Sequence, residues 1–265
     1  MRFLRYPGSK RKFLSTLVEH FPSKESIKGK YIEPFVGGGS VYLAFEPKQA
    51  LLADINTDLI DLYRGIKSYP HKVWEIFSTF PKGKRSYYLV RNSEYHTKPI
   101  YYRAARILYL NRTCFKGMWR HGVDGNFNVG YGGEDRRWVI DHQNIIELSR
   151  ALKNSAIINS DFESVLENVK DNDFIFLDPP YKPGLKEMKD AHYAYGKFTY
   201  EDQIRLSEAL KRIGNKKIKW LMTNSDHKSI RRLYKDYEID KLKVGTSHRI
   251  GISTLRPKEI IIKNY

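Results

Sequence analysis

The residues with the clearest chemical potential stand together in FIFLDPPYKPG, which begins at Phe174. After four apolar residues the segment presents Asp178, Pro179, Pro180 and Tyr181 in succession. Proline donates no ladder hydrogen bond and restricts the residue before it, so a buried strand must end here on a stiff, exposed turn. Such a turn is an ordinary strand terminator, and it is also a rigid mount for reactive groups. A carboxylate at Asp178 and the carbonyl of Pro179 can accept both N–H groups of a planar amine, such as the exocyclic nitrogen of adenine. That nitrogen is a poor nucleophile because its lone pair is delocalised into the ring. The chemical task is to hold it toward a methyl donor and to stabilise the positive charge that develops. The Tyr181 ring can stack on the base, a contact worth roughly 1–3 kcal/mol, and a base stacked there has left its duplex.

Other residues could supply the donor. In IEPFVGGGSVYLAF a strand runs to Glu33-Pro34-Phe35, glycines follow at Gly37, Gly38 and Gly39, and a helix begins near Ser40. Glycines at a strand-to-helix turn let a ligand approach the backbone beside a helix N-terminus, although the spacing is not GxGxxG. The next strand ends in Asp54, placed to accept both hydroxyls of a ribose. Asp161-Phe162 ends a further strand, and its carboxylate opens onto the same crevice. RYPGSKRK puts Tyr6 and Lys10 around a glycine turn. Taken alone, that segment reads as a helix start with basic decoration.

These residues need a frame. Apolar runs read as buried parallel strands in YIEPF from Tyr31, ALLAD from Ala50, AIINSDF from Ala156, DFIFLD from Asp173 and IKWLMTN from Ile218. Helical patterns separate most of them, in KFLSTLVEHF from Lys12, SVYLAFE from Ser40, TDLIDLYRGI from Thr57 and EDQIRLSEALKRI from Glu201. Thr57 and Thr199 read as N-caps, the second with Asp202 three positions later. The alternation predicts an α/β fold with helices on both faces of a mostly parallel sheet. EIDKLKVG from Glu238 and KEIIIKNY from Lys258 read as paired strands closing it. Between about Pro70 and Gln143 the alternation fails. There YYRAARILYLNRT predicts a helix with Tyr101, Ala104, Ala105 and Leu108 on one stripe, and Val123-Asp124-Gly125-Asn126 supplies turn chemistry for a hairpin. The expected organisation is a frame of residues 1–56 and 145–265 interrupted by a helical and hairpin insertion, residues 57–144.

Charge points to the partner. The 265-residue chain carries a formal net charge of +17, which suits a polyanion, nucleic acid above all. Between Lys82 and Arg137 twelve Lys or Arg face four Asp or Glu, an excess of eight in about a fifth of the chain. That concentration predicts a localised binding surface. No run of about 18 apolar residues exists, so no membrane span is expected, and the basic N-terminus lacks the apolar region of a signal peptide. A single cysteine, Cys114, and eight scattered histidines give neither a disulfide nor a metal-ligand set. A reducing, cytoplasmic location is expected.

Tyr6-Pro7-Gly8-Ser9-Lys10, Glu33-Pro34-Phe35-Val36-Gly37-Gly38-Gly39, Asp161-Phe162 and Asp178-Pro179-Pro180-Tyr181 occur in one order along nearly the whole chain. LNRTCFKGMWR and GNFNVGYG lie within the insertion, and KEIIIKNY closes the set. The ordered set resembles the Dam-type, D12-class DNA adenine-N6 methyltransferases. DPPY separates amino methylation from cytosine C5 methylation, which needs a cysteine nucleophile. The resemblance implies a Rossmann-like methyltransferase sheet with an inserted DNA-recognition domain. It implies S-adenosylmethionine as methyl donor with S-adenosylhomocysteine as product, no metal, and double-stranded DNA as the partner of an enzyme acting as a monomer.

The resemblance also implies roles. Tyr6 and Lys10 would enclose the cofactor, Glu33, Pro34, Phe35, Gly37 and Gly39 would form the turn near its adenosine, and Asp54 would take its ribose. Asp161 and Phe162 would meet its adenine edge, while Asp178, Pro179, Pro180 and Tyr181 would hold the target base. Phe115 matches a position that wedges into the duplex, Arg120 and Arg5 match positions that read guanine, and Lys116 and Met118 belong to the same DNA-facing set. Gly130 departs from the family pattern, which often carries proline after FNV, so the expected target is GATC or a related short site. Two alternatives stand beside this reading: a catalytically silent DNA-binding relative, and amino methylation of RNA.

Overall fold

The computed structural model describes residues 3–6, 8, 10–122, 125–181, 198–214, 217–242 and 259–265. Its strands are β1 (Tyr31–Glu33), β2 (Ala50–Asp54), β3 (Ser155–Asn159), β4 (Phe174–Leu177), β5 (Lys219–Ser225), β6 (Glu238–Lys241) and β7 (Glu259–Lys263). They form one seven-stranded sheet in the order β3-β2-β1-β4-β5-β7-β6. The strands β1 to β5 pair in parallel, and β7 runs antiparallel to both β5 and β6. The expected parallel strands and the closing pair are all present. Two parallel strands stop early: Pro34 and Phe35 turn out of β1, and β3 ends at Asn159, which leaves Asp161 to cap the helix that follows. Because β1 has β2 on one side and β4 on the other, chain order reverses between β1 and β4. Open α/β sheets bind ligands at the carboxyl ends of such a switch point.

The helices are α1 (Leu14–Glu19), α2 (Ser40–Phe45), α3 (Thr57–Ser68), α4 (Pro70–Thr79), α5 (Lys84–Arg91), α6 (Ile100–Thr113), α7 (His142–Ala151), α8 (Phe162–Glu167), α9 (Tyr200–Arg212) and α10 (Lys228–Leu233). Thr199 caps α9 in a reciprocal capping box with Asp202, as expected. The N-cap of α3 is Asn56 rather than Thr57, because the Asn56 side chain accepts from the Leu59 N–H at 3.2 Å. Helix α6 is not amphipathic in the expected way. It lies among α3, α4 and α5, and every residue from Ala104 to Thr113 is buried, so one apolar stripe was too narrow a description.

Two apolar cores cover the two faces of the sheet. One joins Ile175, Leu177 and Trp220 to Leu206 and Leu210 of α9. The other is continuous from Leu52 and Phe176 in the sheet, through Leu59 and Leu108, to Phe127 and Val129 beyond α6. Arg106, Arg112 and Arg137 are buried in that second region. Their guanidinium groups donate to main-chain carbonyls: Arg106 Nε to Val90 at 3.1 Å, Arg112 Nε to Arg136 at 2.8 Å, and Arg137 Nη2 to Phe77 at 2.9 Å. Three of the twelve basic residues between Lys82 and Arg137 therefore serve the core, and the surface excess there falls from eight to five. The hairpin after α6 is closed by Asn128 N to Arg120 O at 3.1 Å and Gly122 N to Asn126 O at 2.9 Å. Of its expected turn, Val123 and Asp124 lie outside the described residues.

Candidate active site

Strand register decides what meets Asp178. Leu177 pairs with Met222, so the next residue falls beside Thr223 of β5. The Thr223 hydroxyl donates to Asp178 Oδ1 at 2.7 Å, and Lys10 Nζ stands 3.0 Å from the same oxygen. The turn is half-buried rather than exposed, with Pro179 buried. Side chains that carry no motif hold it from behind. Gln203 of α9 donates from Nε2 to the Pro180 carbonyl at 3.0 Å and accepts from Asn224 Nδ2 at 3.0 Å. Gln203 and Asn224 are both 0% exposed. Their signal was a polar residue within an otherwise apolar face or strand, since a buried amide is kept only where it has partners. Tyr181 donates its hydroxyl to Glu259 Oε2 at 3.1 Å, and the Lys10 ammonium lies 4.5 Å from the centre of its ring. Burial, with the Asp178 and Glu259 charges, pushes the Tyr181 phenol well above its ordinary value, so it remains a donor.

A cavity of about 350 Å³ opens at the carboxyl ends of β1 to β4. Tyr6 and Lys10 form part of its wall, as do Glu33, Pro34, Phe35 and Gly37 after β1. Asp54 at the end of β2 and Asp161 and Phe162 at the start of α8 line it, and all of Asp178, Pro179, Pro180 and Tyr181 border it. Gly39 is not on the wall: it caps α2 behind it, against the Tyr63 hydroxyl. Pro7 and Ser9 lie outside the described residues. Tyr6 presses on the glycine turn so closely that a Cβ at Gly37 or Gly38 would come within 3.0 Å of its side chain.

The cavity is acidic although the chain is basic. Glu33, Asp54, Asp161, Asp178, Asp202 and Glu259 line it, against Lys10 and Arg205. Asp54 accepts from Gly37 N and Asn56 N, each at 3.0 Å, yet burial outweighs those bonds and pushes its carboxyl up to about 6. Both its oxygens retain capacity for a further donor. Glu33 accepts the Tyr31 hydroxyl at 2.8 Å, and burial, reinforced by the Asp178 and Asp54 charges, holds it well above the carboxylate range. Asp161 Oδ1 caps α8 through Glu163 N at 2.9 Å and pairs with Arg205 at 3.1 Å. Phe162 stacks on Phe35 with ring centres 5.4 Å apart, which gives the cavity an aromatic side. The site thus suits a ligand with a positive charge, a diol and a planar ring.

The expected DNA-facing residues gather elsewhere, on the short turn after α6 and the hairpin. Phe115 is 49% exposed at that turn. Lys116 beside it adopts a left-handed φ of 51° and holds its ammonium 5.2 Å from the Phe115 ring. Arg5 packs on Gly117, where a Cβ would collide with its side chain, and its main chain is bonded both ways to the Asn111 amide. Arg120 is half-buried, with Nε donating to Asn128 Oδ1 at 2.7 Å, and Met118 is half-buried beside them. Tyr6 joins this surface to the cavity: its ring lies 5.4 Å from that of Trp119, between Met118 and Arg120. Cys114 is buried, and burial pushes its thiol up to about 12, which removes it as a nucleophile.

Known proteins resemble this chain in sequence. The family described as D12 class N6 adenine-specific DNA methyltransferase matches residues 6–247. The chain is 32% identical over 273 residues to the type II methyltransferase M1.LlaDCHI of Lactococcus lactis subsp. cremoris, covering 99% of this chain and 95% of that one. It is 34% identical over 289 residues to the type II methyltransferase M.MjaIII of Methanocaldococcus jannaschii, covering 99% and 98%. It is 28% identical over 249 residues to the DNA adenine methylase of Escherichia coli K12, covering 92% and 88%. The matched span takes in the glycine turn, the hairpin and the acceptor turn alike, and on that ground the chain belongs to the D12 class N6 adenine-specific DNA methyltransferase family.

Proposed function

We propose that this protein transfers a methyl group from S-adenosylmethionine to N6 of an adenine flipped out of duplex DNA, at GATC or a related short site. The observation that carries this reading is the convergence of Asp178, the Asp178-to-Tyr181 turn and the acid-lined switch-point pocket on one cavity. The pocket fits the cofactor in kind. Asp54 suits a ribose diol, the Phe35–Phe162 wall suits a purine, and the excess of carboxylates suits a sulfonium and an ammonium. When bound, S-adenosylmethionine supplies an electrophilic methyl group.

The chain's own residues do the rest. Asp178 and the Pro179 carbonyl accept the two protons of the target amine, which orients the nitrogen and stabilises the charge it gains. Thr223 and Lys10 hold Asp178 in place through contacts to one carboxylate oxygen. Tyr181 stacks on the base. Transfer is direct, because the buried Cys114 offers no covalent route. Phe115 fills the space the base leaves, Arg5 and Arg120 read guanine edges, and Lys116 and Met118 contact the duplex beside them. Residues 1–56 and 145–265 act as the catalytic part and 57–144 as the target-recognition part. The shared core and α7, which crosses that division, make them one working body. The protein acts as a monomer on DNA in a reducing cytoplasm.

Duplexes with and without GATC, and a matched RNA, incubated with methyl-labelled S-adenosylmethionine test this reading. Label is expected in duplex DNA and not in the RNA, and in the GATC duplex alone if GATC is the site. Label in RNA alone would favour the RNA alternative, and no label in any nucleic acid would favour a silent binding protein.

A further inference from the structure

Glu259 lies in the closing KEIIIKNY segment, to which the sequence assigns no chemical role, yet it stands inside the acceptor site. Strand β7 runs against β5, and Glu259, its first residue, pairs with Ser225, the last of β5. An antiparallel strand begins where its neighbours end, so the fold delivers this carboxylate to the carboxyl ends of β4 and β5. There Oε2 accepts the Tyr181 hydroxyl at 3.1 Å and lies 3.6 Å from Lys10 Nζ, with the side chain only 14% exposed. Lys10 in turn stands 3.0 Å from Asp178 and over the Tyr181 ring. The acceptor carboxylate, the cation, Glu259 and the stacking ring form a closed circuit.

We propose that Glu259 is a positioning residue for methyl transfer: through the phenol hydroxyl it fixes the Tyr181 ring, and so sets where the target base rests against Asp178 and the Pro179 carbonyl. This rests on the acceptor-turn reading given above. The hydroxyl sits at the far end of the ring, where one bond has the greatest leverage on ring orientation. The buried phenol stays protonated, so the Tyr181 hydroxyl is the donor and the Glu259 oxygen the acceptor. Burial raises the Glu259 carboxyl, and Lys10 opposes that effect. A charged acceptor makes the stronger hydrogen bond. A structural role for the side chain is not needed to hold β7, whose main chain pairs with β5 from Glu259 to Lys263 whatever that side chain is.

The test uses the full-length chain, methyl-labelled S-adenosylmethionine and unmethylated bacterial genomic DNA in single turnover, with cofactor KM and thermal unfolding measured in parallel. Glu259→Leu and Tyr181→Phe should each slow transfer by roughly 10- to 100-fold, the effect of misplacing a reacting group, with cofactor KM and melting temperature little changed. Glu259→Gln keeps an oxygen that accepts the hydroxyl and should be faster than Glu259→Leu by about tenfold. In the Tyr181→Phe background, Glu259→Leu should add less than about threefold, because both changes remove one interaction. A Tyr181→Phe protein as fast as the wild type, or a Glu259→Gln protein as slow as Glu259→Leu, would overturn the proposal. The Tyr181→Phe result decides the matter even if Glu259→Leu does not fold. A wild-type chain that labels no DNA would overturn the function itself, whereas labelling by wild type and every variant alike would overturn the positioning role alone.

Discussion

Asp178 shares its end of the sheet with Glu33 and Glu259, whose carboxyl groups are raised by burial and by the Asp178 charge. Lys10 at 3.0 Å and Thr223 at 2.7 Å contact Asp178 directly, which makes the lysine as much a part of the acceptor site as of the cofactor wall. Asp178→Ala should lower single-turnover transfer by at least about 100-fold, the scale of removing a preorganised charge-stabilising group, while duplex binding in a mobility-shift assay stays near wild type. Asp54 gives a pH prediction. Its carboxyl is raised to about 6 and must be ionised to accept a diol. Cofactor affinity measured by calorimetry should therefore hold above that value and weaken as pH falls through it, and Asp54→Asn should flatten the profile at a lower affinity. A wild-type affinity independent of pH between about 5 and 8 would take Asp54 out of the binding site.

At the scale of elements, the glycine turn after β1 couples the cofactor wall to the DNA-facing hairpin through Tyr6 and Trp119. Gly37 has a left-handed φ of 45°, and a Cβ there would come within 3.0 Å of Tyr6. Gly37→Ala should cost roughly 1–2 kcal/mol of stability in chemical unfolding and weaken cofactor binding as Tyr6 is displaced. The parallel strands, the glycine turn and the capping box at Thr199 were legible because hydrophobic period and turn punctuation are local properties of sequence. Thr223 beside Asp178, Glu259 beside Tyr181 and Gln203 beneath Pro180 were not, because each depends on register or on packing between distant segments. The same limit explains α6, whose second buried face became apparent only when α3, α4 and α5 closed around it.

For the whole molecule, charge is sorted rather than spread. The chain is strongly basic, yet the charged residues lining its cavity are mainly acids, and part of the basic excess in the middle region is buried as Arg106, Arg112 and Arg137. Counting residues in sequence could not separate arginines that meet solvent from arginines that tie down carbonyls. The surface arginines and lysines should divide by function when DNA binding is measured against salt. Lys116→Ala should lower the slope of log affinity on log salt by about 1 without changing site choice, whereas Arg120→Ala should cost roughly 1–3 kcal/mol at one base pair and relax selection there. Equal losses on all sequences for Arg120→Ala would reassign it to phosphate contact. The most direct test of the central claim is nucleoside mass spectrometry of unmethylated duplex DNA after incubation with S-adenosylmethionine and either wild type or Asp178→Ala. N6-methyldeoxyadenosine should appear with the wild type and be absent with the variant. Its absence with the wild type, or its equal appearance with both, would contradict the account.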